Sequence, residues 1–194
     1  MSEKTAAGAR WHEDEHPKDG VLRHPADAEN WKTVDRLHPK IGDDPRNIRL
    51  AMATDGFNPF GAASVAHSTW PVILIPYNFA PWLCMKPENF ILSLLIPGPK
   101  SPGNNIDVYL ELLVEELEEL YKTGARTYDA ATHKYFTLCA ALLGTICDYP
   151  GNAMASGRKT NKNVLCATCF LDTTFQRLEF GKKTCYQGHR RFLR

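Results

Sequence analysis

The chain has 194 residues, which is enough for one domain with a hydrophobic core and too few for two domains of ordinary size. Hydrophobic residues make up 43% of it and charged residues 23%, and this composition excludes a wholly disordered protein. The net charge of +1 hides an uneven distribution, because residues 158–194 contain nine Lys or Arg and only two acids. That basic end predicts an anionic partner.

The N-terminal residues are polar and lack the apolar core of a secretory signal. The most apolar stretches, 70–85 and 90–96, are too short or are broken by proline, whereas a membrane-spanning helix needs about 20 apolar residues. We therefore expect a soluble intracellular protein with no membrane partner. Its six cysteines should be mostly reduced, which favours burial or metal binding over disulfides.

Residues 1–45 are polar and show no sustained periodicity, so they predict an N-terminal arm with one short helix. The helix is expected over 26–37, because Pro25 is typical of a helix start. Three apolar residues at three-residue spacing would form its packing face: Trp31, Val34 and Leu37.

Residues 46–157 have the pattern of a mixed α/β core. Three apolar runs predict buried strands, at 48–54, 70–77 and 90–96. The stretch 97–105 is rich in Pro and Gly and predicts a loop. Residues 106–123 predict a helix with an apolar core face and a solvated acidic face, ending at Gly124.

A hairpin is expected around 129–134, followed by the apolar run 135–147. Periodicity alone does not decide between strand and helix for that run, although its β-branched residues favour strand toward the end. The predicted order is strand, strand, strand, helix, strand.

Two aspartates occupy equivalent places in this order. Asp55 and Asp148 are each the first polar residue after an apolar run, and each precedes a turn signal. If their strands are neighbours, the carboxylates can share Mg²⁺ or Mn²⁺, and two such ions could support phosphodiester cleavage. Asp129 is a rival second acid, but it lies in the predicted turn.

The basic end, 158–194, contains a Cys/His pattern whose spacing suits a structural tetrahedral zinc ion. Its four ligands would be Cys166, Cys169, Cys185 and His189. Four basic residues flank them and could contact DNA phosphates: Lys182, Lys183, Arg190 and Arg191. The alternative is a tail with free thiols. Cys84, Cys139 and Cys147 lie in apolar runs and are expected to be buried in the core.

Several long motifs resemble those of plant CACTA (En/Spm-like) DNA transposases, the transposase family tnp2. They are RHPAD at 23–27, DRLHP at 35–39, RNIRL at 46–50, TDGFNPFG at 54–61, WPVIL at 70–74, LIPGPKSPGN at 95–104 and CYQGHRRFL at 185–193. The resemblance extends from about residue 10 to the end of the chain.

The resemblance implies an incomplete RNase H-like fold of the DDE/D type with a C-terminal zinc-knuckle-like insertion. It assigns the first two catalytic acids to Asp55 and Asp148 and the zinc ligands to the Cys/His pattern. It also implies a nuclear protein whose partners are transposon ends and target DNA, and it leaves self-association open. The family reaction is metal-dependent cutting of DNA ends followed by strand transfer.

No glutamate follows His189, and the last acid, Glu179, lies inside the zinc loop. The expectation from sequence is therefore a transposase fragment that lacks its third acid and has little or no activity alone. A hypothesis from another class is a non-enzymatic, zinc-dependent DNA- or protein-binding module derived from a transposase. An expressed relic without function is the third alternative.

Overall fold

A computed structural model of the chain describes residues 3–61, 66–156 and 174–186. Its strands are β1 (Ile48–Thr54), β2 (Trp70–Pro76), β3 (Ile91–Ile96), β4 (Ala125–Asp129), β5 (Lys134–Leu138), β6 (Ala140–Ile146), β7 (Gln176–Arg177) and β8 (Thr184–Cys185). Its α-helices are α1 (Glu3–Gly8), α2 (Trp11–Asp14), α3 (Glu29–Leu37), α4 (Pro39–Gly42), α5 (Pro81–Cys84), α6 (Ile106–Lys122) and α7 (Tyr149–Ala155). Short 3₁₀ turns lie at Pro25–Asp27, Pro87–Asn89 and Gly103–Asn105.

A mixed four-stranded sheet forms the centre of the fold, with the strand order β3-β2-β1-β6. The first three strands form an antiparallel meander. β6 lies parallel to β1 on its other side. A parallel neighbour requires a crossover connection, and α6 together with the β4-β5 hairpin supplies it.

The predicted order of three strands, a helix and a further strand is present. The ambiguous run 135–147 forms two strands, β5 and β6, which are separated at Cys139. The third run is less buried than expected: Leu92 and Leu95 on β3 are 60% and 52% exposed. The reason is that β3 lies at the edge of the sheet, which its sequence alone did not reveal.

One face of the sheet packs against α6, whose leucines and isoleucine recur at helical spacing. The buried residues of this cluster are Leu50, Met52, Trp70, Val72, Leu74, Ile96, Ile106, Leu110, Leu113 and Ala140. Alternate residues of β1 therefore face the helix, as the period of two in a strand requires. This layer fixes β1 and β6 in place beneath one helix.

The opposite face of the sheet is covered by the N-terminal segment and by the chain after β2. Ala9 of this segment packs with Ala51, Ile75 and Phe79. The first 45 residues contain more helix than the sequence suggested, because α1, α2 and α4 form besides α3. No helix among the described residues has both the length and the apolar character needed to cross a membrane.

Candidate functional site

The two candidate acids lie at the same edge of the sheet. β1 and β6 are parallel neighbours, so their carboxyl ends meet there. The last residues that pair between them are Ala53 and Ile146. Asp55 and Asp148 each come two positions after that pair, so both continue the same side of their strands. Residues 93 positions apart in the sequence are thereby brought to one rim.

Both carboxylates line one open cavity of about 350 Å³ at this edge. Its other walls come from the ends of β1, β2 and β6 and from the turn after Asp55: Ala53, Thr54, Phe57, Pro71, Ile73, Ile146 and Cys147. The side chains of Asp55 and Asp148 are exposed, so solvent and a ligand can reach them. An acidic pair at the mouth of an otherwise apolar cavity favours a cationic ligand.

A tight turn holds Asp55 at the strand end. Its Oδ1 accepts a hydrogen bond of 2.7 Å from the amide N–H of Gly56. A Cβ on Gly56 would lie 2.5 Å from Cε2 of Trp70, so only glycine fits beneath this indole ring. The indole N–H in turn donates to Oγ of Ser68 at 2.7 Å. The backbone that carries Asp55 is thus fixed by packing against β2.

Asp148 is held by the start of a helix. It is the N-cap of α7, and its Oδ1 accepts a hydrogen bond of 2.7 Å from the amide N–H of Gly151. A Cβ on Gly151 would come within 2.9 Å of that oxygen and 3.5 Å of the Thr54 carbonyl oxygen. The first turn of α7 therefore lies against the end of β1, and a side chain at Gly151 would displace the capping carboxylate oxygen.

The capping bond gives Asp148 a structural role that needs no ligand, since aspartate is a common N-cap residue. The bond uses one oxygen of the carboxylate, and the bond from Gly56 likewise uses one oxygen of Asp55. Each carboxylate thus has one oxygen fixed by the backbone, which limits the rotation of the other. A pair of hard oxygen donors suits Mg²⁺ or Mn²⁺.

Cys147 is a member of this site that the sequence interpretation missed. It was expected in the core, but it is only half-buried and lines the cavity. Burial raises the pKa of its thiol, and the negative charges of Asp148 and Asp55 raise that pKa further. The thiol therefore experiences both carboxylates. The signal was present in the sequence, because Cys147 directly precedes Asp148, but a cysteine after an apolar run is typical of a core position.

Asp129, the rival acid, does not join the pair. It is 4% exposed and organises the turn between β4 and β5. Its carboxylate accepts hydrogen bonds from the amide of Ala131 and from the hydroxyl of Thr132, and it also contacts the guanidinium of Arg46. Burial opposes ionisation, but these bonds prevail and lower the pKa of Asp129. Its role is structural.

A complete metal site is not formed within residues 3–61, 66–156 and 174–186, where no group of three or more His, Cys, Asp or Glu is arranged to hold an ion. Mg²⁺ is commonly bound by one or two carboxylates together with waters and substrate phosphates. The pair at the sheet edge fits that kind of binding.

The predicted zinc site lies largely outside the described residues, which contain neither Cys166, Cys169 nor His189. Cys185 is described and is half-buried at β8. Lys182 and Lys183 are exposed in the turn that leads to β8, whereas Arg190 and Arg191 fall outside the described ranges. The zinc ion and the basic DNA contact stay predictions.

Comparison with known proteins gives one family. The family model described as transposase family tnp2 matches residues 19–194 and so covers both aspartates of the sheet edge and the Cys/His pattern. No curated protein and no solved structure matches the chain.

Proposed function

Because the chain belongs to transposase family tnp2, we propose that it is the DNA-cleaving region of a CACTA-type transposase and that Asp55 and Asp148 are two of its metal-binding acids. The observation that carries this proposal is the placement of both carboxylates in one cavity at the ends of two parallel strands. The proposed site of action is the nucleus of a plant cell, and the proposed substrates are transposon ends and target DNA.

The strand arrangement supports an RNase H-like core. Three antiparallel strands are followed by a helix and then by a strand parallel to the first. In such a core, acids at the ends of the first strand and of its parallel neighbour face one cleft. Asp55 and Asp148 follow the ends of β1 and β6, which supports this assignment.

The roles of the residues follow from their surroundings. Asp55 and Asp148 would hold divalent ions, which when bound supply Lewis-acid activation of an attacking hydroxyl and stabilise the leaving oxygen. Gly56 and Gly151 position one oxygen of each carboxylate through their amides. Pro71, Ile73 and Phe57 form the apolar wall of the cavity beside them.

The described residues bring two acids to this edge, whereas the family resemblance implies three. We therefore expect the 194-residue chain to cut little or no DNA by itself. Metal binding needs fewer ligands than catalysis. It therefore tests the proposed site more directly than a DNA-cleavage assay does.

The test is paramagnetic broadening by Mn²⁺ in amide NMR spectra of the whole chain. The amide signals of Gly56 and Gly151 are expected to broaden first, because both amides donate to the proposed ligands. The signal of Gly124, at the far end of α6, should stay sharp at the same Mn²⁺ concentration.

The variants Asp55→Asn and Asp148→Asn should each abolish the selective broadening, and asparagine keeps the N-cap of α7. The matched control is Asp107→Asn, which alters an exposed carboxylate in the first turn of α6. Broadening that is equal at all exposed carboxylates, or that survives in both site variants, would refute the metal site. Robust DNA cutting by the chain would instead refute the expected inactivity.

A second candidate function is a zinc-dependent DNA- or protein-binding module formed by the basic end. The excess of basic residues over 158–194 favours it, as does the exposure of Lys182 and Lys183. Native mass spectrometry should then find one zinc per chain that is lost in Cys166→Ser and retained in Cys84→Ser. Metal-free protein with unchanged DNA affinity would contradict this function.

A further inference from the structure

We propose that the outward face of the β4-β5 hairpin is a binding surface for unpaired DNA, with bases stacked on Tyr128 and Tyr135 and phosphate held by Arg126. This inference rests on the proposed function, because it takes DNA as the substrate. It concerns a different surface from the acidic pair.

Two exposed tyrosines define this surface. Tyr128 and Tyr135 pair directly across the hairpin, and their ring centroids are 5.3 Å apart in an edge-to-face arrangement. Tyr128 is 45% exposed and Tyr135 is 61% exposed, although rings of this size usually find apolar partners. Aromatic rings presented to solvent on a strand are typical of platforms on which unpaired bases stack.

The surroundings of the two rings are basic. The guanidinium of Arg126 lies 4.1 Å above the ring of Tyr135. Lys134 pairs with Asp129 and so belongs to the opposite face of the hairpin. The hydroxyl of Tyr128 is 3.1 Å from Nδ1 of the exposed His133. Cations next to aromatic rings complement a strand that offers phosphates and bases in alternation.

No exposed carboxylate offsets this charge within residues 125–138. The only acid there is Asp129, and it is buried beneath the hairpin and bonded to Thr132 and Arg46. Arg46 also lies 4.0 Å from the ring centroid of Phe136 on the inner face. The inner face is thus packed and neutralised, while Tyr128, Tyr135 and Arg126 are exposed on the outer face.

The hairpin is also preorganised. Its five residue pairs are in regular antiparallel register, and Asp129 fixes the turn through the amide of Ala131. A surface that is already ordered loses little conformational entropy on binding. The hairpin packs near the amino end of β1, through Arg46, so about 20 Å of strand separates it from Asp55. The two surfaces can therefore be tested independently.

The test is fluorescence anisotropy of a labelled single-stranded thymidine oligomer with the whole chain, in EDTA. Each of Tyr128→Ala and Tyr135→Ala should weaken binding by about 5- to 150-fold, which is the range for loss of one stacked base. The double variant with Phe at both positions keeps the rings and should bind like wild type. The control Tyr109→Ala removes a tyrosine of similar exposure, 44%, from α6.

The charge of Arg126 has its own readout. Arg126→Gln should reduce the slope of log affinity against log salt by about 0.7, as expected for one phosphate contact with a single strand. The matched control is Lys86→Gln, an exposed lysine outside the hairpin. Circular dichroism of each variant verifies the fold.

The proposal is overturned if the double Tyr→Ala variant binds the oligomer like wild type, or if the double Phe variant loses as much affinity as the Ala variants. It is also overturned if the Tyr→Ala changes alter only the sedimentation mass of the protein, since the face would then be a self-association surface. Asp55→Asn should bind the oligomer normally. If the protein binds the oligomer but does not bind Mn²⁺ selectively, the metal site is refuted and the proposed DNA-binding surface is not.

Discussion

The polar residues at the two ends of β1 differ in their exposure to solvent. At its amino end, here the closed end, Asn47, Arg49 and Asn78 are each no more than 1% exposed. At its carboxyl end, here the open end, Asp55 and Asp148 are exposed around a shared cavity. The same strand thus carries a buried polar network and an accessible acidic pair.

Arg49, Asn47 and Asn78 at the closed end are paired with groups of the fold. Arg49 donates to the carboxylate of Asp35 at 2.6 Å and to the carbonyls of Asn47 and Ile41. The carboxamide of Asn78 accepts from the amide of Arg49 and donates to the carbonyl of Asn47. Buried polar groups contribute to stability only when they are paired in this way.

At the open end the only bonds described for the carboxylates come from Gly56 and Gly151, the local backbone. Such bonds orient the groups without burying them. The difference indicates that the buried polar side chains of this protein stabilise the fold, whereas its exposed and oriented carboxylates are available to a ligand. Substitutions at the closed end should therefore act on stability, and those at the open end on ligand binding.

The largest effect is expected from Arg49→Ala at the closed end. It should lower the free energy of unfolding by about 3–5 kcal/mol, because Asp35 loses its partner and two buried carbonyls lose a donor. Urea denaturation followed by circular dichroism measures this loss. The control Arg36→Ala replaces the exposed arginine next to Asp35 in α3 and should change stability by no more than about 0.5 kcal/mol. Equal losses in both variants would break the comparison.

The next effect is a pH dependence that also belongs to the closed end. His12 is 7% exposed, and burial together with the charge of Arg49 lowers its pKa from 6.5 to about 4. The folded protein therefore keeps this imidazole neutral, while the unfolded chain binds a proton below pH 6.5. The stability that the buried, neutral His12 contributes is fully present above pH 6.5. It is lost as the pH falls toward 4, which lowers the free energy of unfolding by on the order of 3 kcal/mol.

Urea denaturation at pH 7 and at pH 4.5 measures this dependence. The variant His12→Gln should show a smaller difference between the two pH values than wild type, whatever packing energy it loses at both. If wild type and His12→Gln lose the same free energy of unfolding between pH 7 and pH 4.5, His12 is not the cause of the pH dependence.

The smallest effect on stability is expected from substitutions at the open end. There the measurable change is in the reactivity of the Cys147 thiol. Replacing either aspartate by asparagine removes a negative charge near the thiol, so its pKa should fall and its alkylation by iodoacetamide at pH 8 should become faster. Stability in Asp55→Asn should change by no more than about 0.5 kcal/mol.

Mass spectrometry of the alkylated peptide that contains Cys147 measures the rate, and the buried Cys84 in the same sample is the internal control. A rate that does not change in either variant would show that the carboxylates do not act together on this thiol.

Much of the fold could be predicted from local patterns. The alternation of apolar residues located β1, and the helical spacing of apolar residues located α6, because a strand and a helix repeat their faces every 2 and 3.6 residues. The turn residues after each run located Asp55 and Asp148. These features depend on neighbours in the sequence, so the sequence by itself contained them.

The structure added what depends on pairing between distant segments. Only the parallel pairing of β1 with β6 brings Asp55 beside Asp148 and makes Cys147 part of a site. Arg49 shows the same limit, since an arginine inside a strand is expected in solvent and is buried here because Asp35 of α3 folds over it. The apolar sequence of β3 predicted a core strand, but β3 lies at the edge of the sheet. The sequence of a strand does not specify its place in the strand order.

The sequence by itself therefore determined which segments form strands and helices, where the acids stand at their ends, and the family to which the chain belongs. Tertiary structure alone decided which of those acids meet and which polar residues are buried. The physical reason is that local conformation follows from the preferences of adjacent residues, whereas burial and the environment of a charge depend on contacts made between residues far apart in the chain.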